Sequence, residues 1–214
     1  MKTISSFTRK AAVSGACIIP LLFLVIRFLI GRLGADPVQT LLLSTGDWTM
    51  RFLLLTLLVT PLMDLTGWKR MFFLRRLFGL YSLLYAGLHF FVYLGLGYLF
   101  NIRMILREAP TTPFVIIGFG SFLLLIPLGI TSMKSLMKRM RRQNWRILHG
   151  LVYLIGIGGI VHYLLKLKII SNEFIVYTVL LALLLLYRLI SWIFLKGTRI
   201  ALGGRMLASS GESE

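Results

Sequence analysis

The sequence predicts an all-α integral membrane bundle of about six transmembrane helices, and three observations lead there. Hydrophobic residues make up 57% of the 214 positions and charged residues only 14%, whereas soluble domains average about 25% charged residues. Apolar runs long enough to cross a hydrocarbon layer, which takes roughly 20 residues of helix, recur six times with little polar sequence between them. The basic residues gather in short clusters between those runs, as in chains sorted by charge across a membrane. No segment alternates apolar and polar residues over the roughly 10-residue strands of a membrane barrel. Nor is any stretch polar enough to form a separate soluble domain, so residues 1–214 read as one membrane domain with tails at 1–10 and 196–214.

The six runs cover Ala11–Ile30, Trp48–Leu65, Leu77–Leu99, Phe114–Ile130, Ile147–Leu165 and Phe174–Phe194. Breakers separate them: Gly34-Ala35-Asp36-Pro37 after the first, Thr66-Gly67 after the second, and Pro110-Thr111-Thr112-Pro113 before the fourth. The first run lacks a small-residue cleavage site at its far end and reads as a retained helix. Cys17 is the only cysteine, which excludes an internal disulfide or a thiolate cluster. Ser14-Gly15-Ala16 before it is no lipoprotein box, because no apolar stretch precedes it.

A net charge of +17 would suggest nucleic acid in a soluble protein. Here no continuous basic face or row of stacking aromatics supports that, and membrane lipid is the expected neighbour instead. Sorting the bases by loop gives the orientation. Lys2, Arg9 and Lys10, then Lys69, Arg70, Arg75 and Arg76, fall on one side. The run from Lys134 to Arg146 (Lys138, Arg139, Arg141 and Arg142 among it) and Arg188, Lys196, Arg199 and Arg205 join them. The other side keeps only Arg27, Arg32, Arg51, Arg103, Arg107, Lys166 and Lys168. Both termini are therefore expected on the cytoplasmic side, and the third and fifth helices run outward in parallel.

An ionisable or ligating side chain inside a membrane helix is costly and marks function by default. All three histidines of the chain fall in predicted helices: His89 in the third, His149 and His162 in the fifth. No carboxylate is expected within the membrane beside them, since Asp64 lies near a helix end. A proton relay or a hard-cation transporter would want acidic partners, and zinc would want Cys, Asp or Glu beside the histidines. Neutral imidazoles in an apolar pocket suit haem iron better.

Helical rise limits the pairing. His149 and His162 are separated by about 20 Å along one helix and turned roughly 140° apart, so one iron cannot take both. Counted from Arg76 and Arg146, His89 lies roughly 20 Å deep and His162 roughly 24 Å, against about 4–5 Å for His149. His89 and His162 are thus matched in depth for one haem b, with His149 left for a second nearer the cytoplasm. The competing reading is a haem-free transporter or assembly subunit whose histidines only hydrogen-bond within the bundle. Gly156-Ile157-Gly158-Gly159 follows no strand and reads as helix packing through small residues, with scope for a local distortion. Gly118-Phe119-Gly120-Ser121-Phe122 has its serine misplaced for a nucleophile elbow.

With these residues in view, the chain resembles the MsrQ (YedZ) family, the haem-binding membrane subunits of a periplasmic methionine sulfoxide reductase system. This family sits within the ferric reductase-like transmembrane group. The resemblance runs from Ala11 to about Arg199. It rests on Leu33-Gly34-Ala35-Asp36-Pro37-Val38, on Leu74-Arg75-Arg76-Leu77-Phe78-Gly79-Leu80, and on Trp145-Arg146-Ile147-Leu148-His149-Gly150-Leu151-Val152-Tyr153-Leu154. His162-Tyr163 followed by Lys168-Ile169-Ile170-Ser171 completes it.

The resemblance implies b-type haem on His89, His149 and His162, and an association with FMN. It implies electrons arriving from the quinone pool or a cytosolic flavin reductase and leaving to MsrP, the periplasmic molybdopterin catalytic subunit. The chain itself is expected to perform no substrate chemistry. Related oxidases carry a flavin and nucleotide domain after the last helix, whereas only a short tail follows Phe194, so oxidation of NADPH by this chain alone is not expected. The third helix has one histidine where the oxidases have two, so their four-histidine, two-haem arrangement does not carry over whole. Arg75, Arg76, Lys138, Arg139, Arg141 and Arg142 are the candidates for docking a cytoplasmic flavin or donor.

Overall fold

Asp36 and Pro37, read above as a breaker, start a helix. The Asp36 carboxylate accepts a hydrogen bond from the Gln39 amide at 2.9 Å, and Pro37 occupies the first helical position, where its missing N–H costs nothing. In a computed structural model that describes residues 6–167 and 169–211, this helix, α2, runs Pro37–Thr66 and ends at Gly67, whose φ of 68° suits a left-handed cap. The second span therefore begins eleven residues before the expected Trp48. Asp47 consequently lies inside a membrane helix, one turn before Arg51, which corrects the expectation that no carboxylate would be found there.

The other elements follow in order: α1 (Ser6–Leu29), α3 (Phe72–Val92), the short α4 (Ile102–Glu108), α5 (Pro113–Thr131), the short α6 (Lys134–Arg139), α7 (Arg142–Lys166) and α8 (Asn172–Gly211). No strand occurs among the described residues. Six helices are long and apolar enough to cross a membrane, and the chain is a multi-pass, all-α membrane protein. The sixth continues as helix past the expected end at Phe194. Lys2, Lys168 and the tail ends at 1–5 and 212–214 lie outside the described residues, as do the side chains of Lys134, Lys196, Arg199 and Arg205.

Two close helix pairs organise the bundle: α2 packs along α3 and α5 along α7. α2 is the most enclosed helix, burying Leu41, Thr45, Met50, Phe52, Leu53, Leu54 and Leu57 among others. Its Met50, Leu53, Leu54 and Leu57 join Leu125 and Leu128 of α5, Val152 and Ile155 of α7, and Tyr177 and Leu181 of α8 in one core. A second cluster ties α1 to α2 and α3 through Cys17, Phe52, Tyr81 and Tyr85, and the Tyr85 hydroxyl donates to the Cys17 carbonyl at 3.0 Å. Outward faces stay apolar, with Phe23, Leu29, Phe91, Ile147, Leu183 and Trp192 all exposed, as a lipid solvent requires.

The glycines of α7 serve packing, as expected. A Cβ at Gly158 would collide with Ser121 Oγ, and one at Gly159 would come 2.7 Å from Met50 Sδ, so α7 approaches α5 and α2 only because these positions are bare. The helix passes through them without a break. Beyond Val92, α3 widens into a π-type turn over Tyr93–Gly97. Leu99 and Phe100, at φ 48° and 56°, then turn the chain toward α4.

Candidate functional site

His89 and His162 face each other across the bundle, with ring centroids 6.0 Å apart and planes at 86°. Each is held from behind by the backbone of a neighbouring helix. His89 Nδ1 lies 3.0 Å from the Leu42 carbonyl of α2 and 3.4 Å from Thr45 Oγ1. The Thr45 hydroxyl already donates to the Leu41 carbonyl at 2.7 Å, so its oxygen is an acceptor toward the ring. His162 Nδ1 lies 2.7 Å from the carbonyl of Phe114 in the first turn of α5. Both partners are acceptors, so Nδ1 carries the proton in each ring and Nε2 keeps its lone pair.

Ligating imidazoles are usually oriented by a hydrogen bond from the other ring nitrogen to a carbonyl or carboxylate, and that is the state of both rings. Two metal–nitrogen bonds of about 2.0 Å each, plus two imidazole half-widths, add up to about the observed separation. Glycines form the cradle. A Cβ at Gly46 would sit 3.3 Å from His89 Nδ1, and one at Gly118 would come 2.7 Å from His162 Cε1, so each ring lies directly against a helix backbone. Among the described residues no group of three or more His, Cys, Asp and Glu could hold a bare metal ion. Two opposed imidazoles fit axial ligation of a macrocyclic metal that brings its own equatorial ligands.

His149 stands apart, near the opposite end of the bundle. The two sites bracket α5: Phe114 at its start touches His162 and Thr131 at its end touches His149, about 25 Å apart by helical rise. His149 stacks on Trp145 at 4.1 Å between centroids, and its Nε2 lies 3.0 Å from Thr131 Oγ1. The Thr131 hydroxyl donates to the Pro127 carbonyl at 2.7 Å, so it accepts from His149 Nε2–H. The ring therefore has its lone pair on Nδ1, the reverse of the other two histidines.

The basic candidates collect at this same end. Arg75 is half-buried and lines a narrow cavity with Thr60, Tyr153, Tyr187 and Arg188, while Arg76, Lys138, Arg139, Arg141 and Arg142 are exposed. Sequence reasoning missed the polar group beside α2. Arg51 Nε donates to the Tyr177 hydroxyl at 2.8 Å and its guanidinium lies 4.7 Å from the Trp48 ring centroid. Asp47 lies four residues before Arg51 on α2, on the same face of the helix. The signal was the Asp36-Pro37 cap, which extends α2 far enough to take Asp47 into the helix ahead of Arg51.

Six apolar helices around a pair of carbonyl-anchored imidazoles define a multi-pass, all-α membrane protein with two histidines paired inside the bundle. Residues 45–160, which include His89 and His149 and end two residues before His162, match the family of the ferric reductase like transmembrane component. Among curated proteins, the chain is 38% identical over 187 residues to the protein-methionine-sulfoxide reductase heme-binding subunit MsrQ of Herminiimonas arsenicoxydans, covering 86% of this chain and 85% of that one. The MsrQ proteins of Brucella anthropi (42% identical, 75% and 72% covered) and Xanthomonas campestris pv. campestris (38%, 87% and 88%) are similarly related. The chain belongs to the MsrQ family within this ferric reductase-like group.

Proposed function

We propose that this chain is a haem b electron carrier of the bacterial inner membrane that serves a periplasmic methionine sulfoxide reductase. The observation that carries the reading is the opposition of His89 and His162, each with Nδ1 on a carbonyl acceptor and Nε2 left as ligand. Bound between them, haem supplies a one-electron redox centre. The protein's own part is to fix two imidazoles in one tautomer, exclude water with apolar walls, and present docking faces at both ends. His149, about 20 Å along α7 from His162, is the proposed ligand of a second haem nearer the basic end. Thr131 would have to release its Nε2, or the ring would ligate through Nδ1.

With both termini cytoplasmic, as the basic clusters favour, electrons enter at the end of Arg75, Arg76 and the Lys138–Arg142 segment. The donor is the quinone pool or a cytosolic flavin reductase, with FMN held among the same bases, whose charge suits its phosphate. They leave to the MsrP catalytic subunit on the outer side. The relatives' name as heme-binding subunits of a protein-methionine-sulfoxide reductase supports the acceptor assignment. Protein purified from haem-replete cells should give b-type bands in a reduced-minus-oxidised spectrum, and reduced protein should be reoxidised by MsrP with a methionine sulfoxide substrate. Absence of those bands would instead favour a haem-free membrane subunit with packing histidines.

A further inference from the structure

A porphyrin of the b type brings two propionate carboxylates with it, and these cannot be left unpaired in hydrocarbon. They must reach a cation or water at the rim of the His89–His162 site. Arg51, inside α2, is already engaged with the Tyr177 hydroxyl and the Trp48 ring. Lys166 is placed differently. It follows His162 by four residues on α7, so the two share one face of the helix about 6 Å apart along its axis. Its ammonium lies 5.1 Å from the centroid of the Phe114 ring. That same residue's carbonyl holds His162 Nδ1, and its ring lies 5.9 Å from the imidazole. The Lys166 side chain remains exposed at the helix end.

We propose that Lys166 is a cofactor-binding residue that pairs with a propionate of the haem held by His89 and His162, which rests on the haem reading above. The pair orients the macrocycle about the His–Fe–His axis and neutralises a carboxylate near the iron. Neutralising it favours the reduced, less positive iron. A lysine that only anchors the helix end in lipid headgroups would do neither.

The test is a spectroelectrochemical titration of the full chain as wild type, Lys166→Gln and Lys166→Arg, each reconstituted with haem b and with its dimethyl ester, which has no carboxylate charge. With haem b, Lys166→Gln should shift the equilibrium against reduction by about threefold to thirtyfold, for a charge partly screened at the rim. Tenfold corresponds to about 59 mV for one electron. Lys166→Arg should stay near wild type, and the ester should shrink the difference between Lys166→Gln and wild type, since the part that passes through the carboxylate is then gone. An unchanged potential in Lys166→Gln at full haem content overturns the proposal, and so does a shift that persists undiminished with the ester. If wild type itself takes up no haem, it is the haem reading that fails.

Discussion

The imidazoles of His89 and His162 lie 6.0 Å apart between centroids, on α3 and α7, and both are steadied by carbonyls from a third and a fourth helix. Four helices thus converge on two side chains 73 positions apart in sequence. The arrangement fixes ring orientation without any carboxylate partner, through backbone atoms that no side-chain substitution removes.

The glycine under His162 should be the less tolerant of the two cradle positions. A Cβ at Gly118 would come 2.7 Å from His162 Cε1, against 3.3 Å from His89 Nδ1 for one at Gly46. Gly118→Ala must displace the ring or the α5 backbone, an overpacking cost of about 1–3 kcal/mol. Haem-to-protein ratios of the two alanine variants should fall further for Gly118→Ala than for Gly46→Ala.

Thr131 is predicted to control the tautomer of His149. Thr131→Val removes the acceptor for Nε2–H while keeping the side chain's shape, which frees the ring to present either nitrogen. The spectral component assigned to His149 should shift in band position or potential, and the component lost in His162→Ala should not. Low-temperature difference spectra of Thr131→Val, alone and with His162→Ala, check this.

At the opposite face, Lys138, Arg139, Arg141 and Arg142 are exposed beside the proposed entry point. Neutralising all four should slow haem reduction by an acidic flavin-carrying donor. The wild-type rate should itself fall toward the variant's at high salt, because screening lengths drop from about 8 Å at physiological ionic strength to about 3 Å at 1 M. Stopped-flow reduction at two ionic strengths decides it. Equal rates for variant and wild type at low salt would leave these bases with topology alone.

Reporter fusions check the orientation on which the direction of electron flow depends. Fusions after Phe100 and Ser171 should report the outer compartment, and fusions after Lys69 and Lys138 the cytoplasm. A reversed pattern would exchange the donor and acceptor ends.

The six spans and the isolation of three histidines were legible in the sequence because apolar length and the scarcity of intramembrane polar residues are local signals. The matching depth of His89 and His162 was legible too, since helical rise counted from Arg76 and Arg146 needs no tertiary contact. The start of α2 was not. Gly46-Asp47 interrupts its apolar run, and Asp36-Pro37 in sequence reads as a break, whereas it is a cap followed by a first-turn proline. That late start hid Asp47 and the Thr45-Gly46 wall of the site. The carbonyls of Leu42 and Phe114 were beyond reach for another reason: they lie 47 and 48 residues from the rings they hold, and a backbone acceptor carries no side-chain signature. Gly118 was visible as a glycine but not as a cradle, which only the position of α7 against α5 reveals.

The central claim is that His89 and His162 are the two axial ligands of one haem and His149 belongs elsewhere. Haem-to-protein ratio and low-temperature reduced spectra should be measured for His89→Ala, His162→Ala, the double variant and His149→Ala. Both single variants should lose the same component, and the double should lose no more, since residues that act as one unit are strongly non-additive. His149→Ala should spare that component. If His89→Ala and His149→Ala lose one common component while His162→Ala keeps it, the pairing is contradicted.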